Sequence, residues 1–114
     1  MTYWEAARLL FLLFAAHALC DYPLQGDFLA KAKNFTLNPK GWPTALYAHA
    51  LIQGGAVCWL THSVVLGMAE LLVHAITDYA KCAGRIRSTT DQAIHYACKV
   101  LWWGLLLLAT KGIR

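Results

Sequence analysis

The chain has 114 residues, 59% of them apolar and only 14% charged, with a net charge of +4. A water-soluble domain usually sits near half apolar and a quarter charged, so this balance points to lipid as the solvent and to one domain over 1–114. Five Trp, five Tyr and four Phe exclude a disordered chain, and basic residues without a run of interleaved aromatics give no nucleic-acid footprint.

The pattern predicts an all-α, integral membrane four-helix bundle. A transmembrane helix needs roughly 20 mostly apolar residues to cross about 30 Å of hydrocarbon. The first span covers about 3–21. Ala16-His17-Ala18 with Leu19-Cys20 imitates a signal-peptide cleavage site. No basic segment precedes it and a Leu stands before the Cys, so the span is retained. In the following loop, Gly26 to Asn34 predicts a short interfacial helix with Asp27 as N-cap and Lys31 and Lys33 towards lipid head groups. The second span covers about 44–60, with Pro43 in its first turn. The third covers about 64–83, with Gly84 as a left-handed cap. The fourth covers about 90–110, where Thr89 and Gln92 have capping-box spacing.

Loops 22–43 and 84–90 then share one side of the membrane. That side holds Lys31, Lys33, Lys40, Lys81, Arg85 and Arg87, against Arg8, Lys111 and Arg114 on the other, and the excess marks it as cytoplasmic. Trp4, Trp42 and Trp102-Trp103 read as lipid-facing or interfacial anchors, and His62, Glu5 and Arg8 as residues of the far interface. Gly54-Gly55 would let helices approach closely. Cys20, Cys58, Cys82 and Cys98 contain no C-x-x-C pair and read as packing residues.

Ionisable groups inside a span cost about 2.5–3.5 kcal/mol each, so they face the bundle interior and carry function. Here they are ordered. His17 and Asp21 are four apart, as are His74 and Asp78, and Asp91 and His95 repeat the spacing in reverse. Residues four apart share a helix face. The topology brings the ends of spans one and three and the starts of spans two and four to one membrane face. Asp21, Asp78 and Asp91 then form an outer layer, and His17, His49, His74 and His95 a second. Glu70, Lys99 and Gln53 form a third, in which Glu70 and Lys99 neutralise each other.

His17, Asp21, His49, His74, Asp78, Asp91 and His95 are the ligand types that helical bundles use for metals. They suit one or two divalent ions: zinc first, with Fe, Mn or Ni as alternatives. Glu70 and Lys99 would support the ligands from behind. In an enzyme the expected reaction is metal-dependent hydrolysis, with Asp21, Asp78 or Asp91 as the catalytic carboxylate. Gln25, Lys81, Arg85, Arg87 and Gln92 would hold an anionic or lipid substrate. Two other classes compete: a cation or proton conduit built from homo-oligomers, and a metal-free structural protein whose His/Asp network fixes helix register.

The ordered set resembles the small bacterial and phage membrane proteins grouped as domain of unknown function 3307. The residues that carry the likeness are His17-x-x-x-Asp21-Tyr-Pro-Leu-Gln25, Lys31/Lys33-Asn34, His49, His74-x-x-x-Asp78-x-x-Lys81 and Asp91-Gln92-x-x-His95. The resemblance implies a multi-span helical protein, in the bacterial inner membrane, with an inward polar site towards the cytoplasm. By site type alone the layout also looks like that of small membrane-bound metal-dependent hydrolases.

Overall fold

The computed structural model describes residues 1–112. Among them the chain is all-α, with α1 (Tyr3–Asp21), α2 (Gly26–Ala32), α3 (Trp42–Thr61), α4 (Val64–Cys82) and α5 (Ser88–Ala109). Arg114, counted above with the far-side basic residues, lies outside the described residues. The four long helices close a ring in which α1 packs on α3, α3 on α4, α4 on α5 and α5 on α1, while α2 leans on α3. The molecule measures 50 × 24 × 21 Å.

Local chemistry sets the helix ends, with some departures from the sequence reading. Thr2 Oγ1 accepts from the Glu5 amide at 3.2 Å and Glu5 Oε2 accepts from the Thr2 amide at 2.6 Å, so Glu5 closes a capping box. Pro43 occupies the first turn of α3. His62 ends α3 in the left-handed region, at φ 54°. Ser63 Oγ caps α4 by accepting from the Leu66 amide at 3.2 Å, and Gly84 turns the chain beyond its end at φ 74°. Asp27 lies inside the first turn of α2 rather than at its cap. The expected Thr89–Gln92 box does not form, and Arg87 stands at the cap of α5 without a side-chain bond. Gln92 is turned into the bundle instead, where buried partners outweigh a surface cap.

Two glycines set the α3–α4 contact. A Cβ on Gly54 would lie 2.6 Å from the Gly67 carbonyl oxygen, and one on Gly67 would lie 2.7 Å from Cys58 Cβ. Gly55 faces open space, so only the first member of the Gly54-Gly55 pair serves the close approach.

The inside of the bundle is more polar than its outside. Among the described residues, thirteen polar or charged side chains are buried against nine apolar ones. Phe11, Trp59, Ile76 and Leu108 meanwhile point outward at 71%, 81%, 69% and 79% exposure. Leu9, Leu13, Val57, Leu66 and Trp102 form a compact apolar cluster below the polar layer. By length and composition, one described helix, Tyr3–Asp21, is long and apolar enough to cross a membrane. The expectation of four such helices is not met on that measure. His49 and Gln53 in α3, Glu70 and Asp78 in α4, and Asp91 and Lys99 in α5 lower the mean hydropathy of the other three.

Gly67→Ala should cost about 1–3 kcal/mol by forcing α3 and α4 apart, whereas Gly55→Ala should leave stability unchanged or raise it slightly. Denaturation of the purified protein, followed by circular dichroism, separates the two. Equal midpoints would overturn the close-contact assignment.

Candidate metal centre

The four-residue spacings place the polar side chains on the inward faces of the four long helices, at the end where α1 and α4 finish and α3 and α5 begin. Asp21 is the hub on one side. Its Oδ1 accepts from Gln53 Nε2 at 3.1 Å and lies 3.0 Å from His49 Nε2 and 3.6 Å from His74 Nε2. Its Oδ2 accepts from Gln92 Nε2 at 2.6 Å. Asp78 is the hub on the other side. Oδ2 lies 2.5 Å from Lys33 Nζ, 3.4 Å from His49 Nε2 and 3.6 Å from His74 Nε2, and Oδ1 lies 3.2 Å from His95 Nε2. Asp91 Oδ1 is buried 3.1 Å from the same His95 nitrogen, in an ion-pair contact whose alignment makes no hydrogen bond.

One turn deeper, Glu70 gathers three donors. Oε1 accepts from Lys99 Nζ at 2.6 Å and lies 3.2 Å from His74 Nδ1, while Oε2 accepts from Trp102 Nε1 at 2.6 Å. A carboxylate only accepts, so His74 Nδ1 carries the proton and, in the neutral ring, Nε2 keeps its lone pair. That lone pair faces His49 Nε2 at 3.1 Å. The imidazoles of His74 and His95 stack at 4.0 Å between centroids. By the same rule His49 Nε2, which donates to Asp21 Oδ1 at 3.0 Å, carries the proton of its ring while Nδ1 is buried without a partner, so His74, whose Nε2 lone pair is already free, is the pre-organised ligand of the pair.

The other candidate residues are placed as follows. His17 is buried, and its Nε2 donates to Gln92 Oε1 at 3.0 Å. The amide of Gln92 thereby links His17 to Asp21, and His17 has its Nε2 turned to Gln92. Gln25 Nε2 donates to the Asp21 carbonyl oxygen at 3.1 Å. Lys81, half-buried, reaches Asp91 Oδ2 at 3.8 Å. Arg85 and Arg87 are exposed. All four cysteines are free.

Two residues of this site escaped the sequence reading. Lys33, counted there among lysines facing head groups, is buried at 3% exposure; it enters from a loop, where no periodicity marks an inward side chain. Trp102, taken as an interfacial anchor, is buried at 6% exposure, because the buried Glu70 carboxylate needs a further donor. A signal existed here: Trp102 continues the inward stripe of Asp91, His95 and Lys99 at helical spacing.

Three groups bring metal-ligand atoms within 4.8 Å of one another: Asp21, His49 and His74; His74, Asp78 and His95; and Asp21, Asp91 and His95. The first fits a metal closely. Ligands at 2.0–2.1 Å around tetrahedral zinc lie about 3.3 Å from one another, and the three atoms here are separated by 3.0, 3.1 and 3.6 Å.

The stretch that carries all of these side chains, residues 9–113, matches the family described as "Protein of unknown function (DUF3307)". The chain belongs to the DUF3307 family. No curated protein and no solved structure matches it. This DUF3307 member thus holds buried His/Asp groups able to bind a metal.

Lys99→Met should destabilise the fold by about 3–5 kcal/mol, because it strands Glu70 as a buried charge. Glu70→Gln combined with Lys99→Met should recover much of that loss. Unfolding of the purified protein by increasing denaturant checks the pair. A double variant as unstable as the sum of the single ones would show that the two groups are not coupled.

Proposed function

We propose that the chain is a membrane-embedded bundle that binds a divalent metal, zinc in the first place, near its cytoplasmic face and uses it to hydrolyse an anionic or lipid substrate. The observation that carries this reading is the triangle of Asp21 Oδ1, His49 Nε2 and His74 Nε2, with ligand-like spacing and one lone pair already oriented by Glu70. Membrane embedding is supported by the inverted distribution of side chains. The polar groups that lower the hydropathy of α3, α4 and α5 are buried, which leaves each helix an apolar outer surface.

Ligand chemistry limits the ion count. His74 has one free nitrogen, so the two groups that share it cannot both be filled. Asp21 has two oxygens, so the Asp21–His49–His74 and Asp21–Asp91–His95 groups do not exclude each other. The first group would hold one ion, and the second could hold another.

A bound divalent ion supplies Lewis acidity. The rest belongs to the chain. Asp21, His49 and His74 hold the ion, and Glu70 keeps the proton of His74 on Nδ1. Asp91 Oδ1, lacking a hydrogen bond, is the oxygen available to take a proton. Lys81 at the rim is placed to meet an anion. A conduit is disfavoured, because the polar ladder stops at Glu70, Lys99 and Trp102, and Leu9, Leu13, Val57 and Leu66 close the bundle beyond it.

Elemental analysis of chelator-free, detergent-purified protein tests the reading. Wild type should carry stoichiometric metal, His74→Ala and Asp21→Ala should lose it, and His17→Ala should retain most of it. A folded wild type without metal sinks the proposal. With metal present, turnover of anionic but not zwitterionic lipid vesicles would support hydrolysis.

A further inference from the structure

The candidate centre is sealed. His49 and His74 are 0% exposed, and Asp78 and Asp91 are 1% exposed. The segment 22–41, which joins α1 to α3 through α2, is the only long connection at this end of the bundle among the described residues, and we call it the roof. Helix α2 buries no residue of its own. Throughout the roof, Lys33 is the single fully buried side chain, and its ammonium rests on Asp78 Oδ2, 2.5 Å away. Beside it Phe35 stacks on Tyr79 at 5.2 Å between centroids, and Trp42 lies 5.5 Å from the same ring. Asn34 Oδ1 accepts from the Thr36 amide at 2.9 Å, and Asn38 Nδ2 donates to the Ala32 carbonyl oxygen at 2.9 Å, so the roof is shaped by its own hydrogen bonds.

Asp78 Oδ2 is also the donor atom that a metal lacks. Asp21, His49 and His74 provide three ligands of a tetrahedral four. Besides Asp21 Oδ1, Asp78 Oδ2 is the one carboxylate oxygen paired with both imidazole nitrogens among the described residues. An ion bound to that oxygen at about 2 Å and an ammonium bound to it at hydrogen-bond distance would sit roughly 4 Å apart in a site shielded from water. Two cations at that range repel strongly.

We propose that Lys33 is a tethered cation that competes with the divalent ion for Asp78, so that metal binding and release of the roof are one event. The inference rests on the metal-centre reading above. Without metal, the ammonium neutralises Asp78 and holds the roof shut. Once the ion takes the oxygen, Lys33 is expelled, and the roof loses its ion pair to the centre while keeping its aromatic contacts, the bond from Gln25 to the Asp21 carbonyl oxygen and the packing of α2 on α3. The affinity measured for wild type is therefore lowered by the fraction of molecules in which Lys33 is docked.

Two measurements on the full chain in detergent test this, with Zn2+ alone as the probe. The first is Zn2+ affinity by chelator competition. Lys33→Met should bind at least about tenfold more tightly than wild type, and Lys33→Arg, which keeps the tethered charge, should stay near wild type. The second is tryptic cleavage of wild type. The Lys33–Asn34 bond can be cut only when the Lys33 side chain leaves Asp78, so Zn2+ should accelerate its cleavage several-fold relative to the Lys31–Ala32 bond, whose lysine is exposed. Helical circular dichroism shows whether each variant is folded. Binding to Lys33→Met alone, with wild type too weak to detect, also supports competition. Unchanged or weaker affinity in a folded Lys33→Met, or protection of the Lys33 bond by Zn2+, overturns the inference while leaving the metal centre intact. No binding to any variant removes the metal reading itself.

Discussion

Four carboxylates, Asp21, Glu70, Asp78 and Asp91, are buried at one end of the bundle, and the need to satisfy them organises the chain around them. A buried charge without partners costs several kcal/mol, a large share of a domain's net stability. Three of the four therefore draw donors from helices other than their own. Asp21 on α1 is met by α3 and α5, Asp78 on α4 by α5 and the roof, and Glu70 on α4 by α5. The helices are tied together through their polar faces, and apolar packing is confined mainly to the small cluster beneath.

That demand explains the residues that break local rules. Gln92 gives up a capping role on α5 because its amide links His17 to Asp21. Trp102 turns from the surface to Glu70, and Lys33 leaves the solvent for Asp78. In each case the local preference is worth about a kilocalorie per mole, whereas an unmatched buried charge is worth several. The same logic makes the glycine contact between α3 and α4 functional. Without the close approach at Gly54 and Gly67, His49 and His74 could not bring their Nε2 atoms to 3.1 Å.

Much of this was legible in the chain. The first helix has the expected limits, the third and fourth differ by a residue or two from those observed, and Gly84 takes the left-handed conformation. The order of His and Asp residues marked the inward faces, because four-residue spacing leaves little choice of face. Elements without periodicity were less visible. Nothing in the roof distinguishes buried Lys33 from exposed Lys31. A single stripe cannot say which nitrogen of His74 is free, since that is decided by Glu70 and its own partners. The four-span expectation also met a limit of averaging, because mean hydropathy counts an inward histidine and an outward one alike.

The sequence by itself determined that the chain is helical, that its polar remainder lies at one end of the bundle, and that imidazoles and carboxylates share it. Those properties follow from composition and from the 3.6-residue period, which act within one helix at a time. Tertiary packing settled which of seven candidate ligands face one another, that His17 turns to an amide, that Asp91 meets His95 without a hydrogen bond at Oδ1, and that a lysine from the roof closes the site. Such outcomes depend on distances between helices and on competition for a few lone pairs, which no single helix contains.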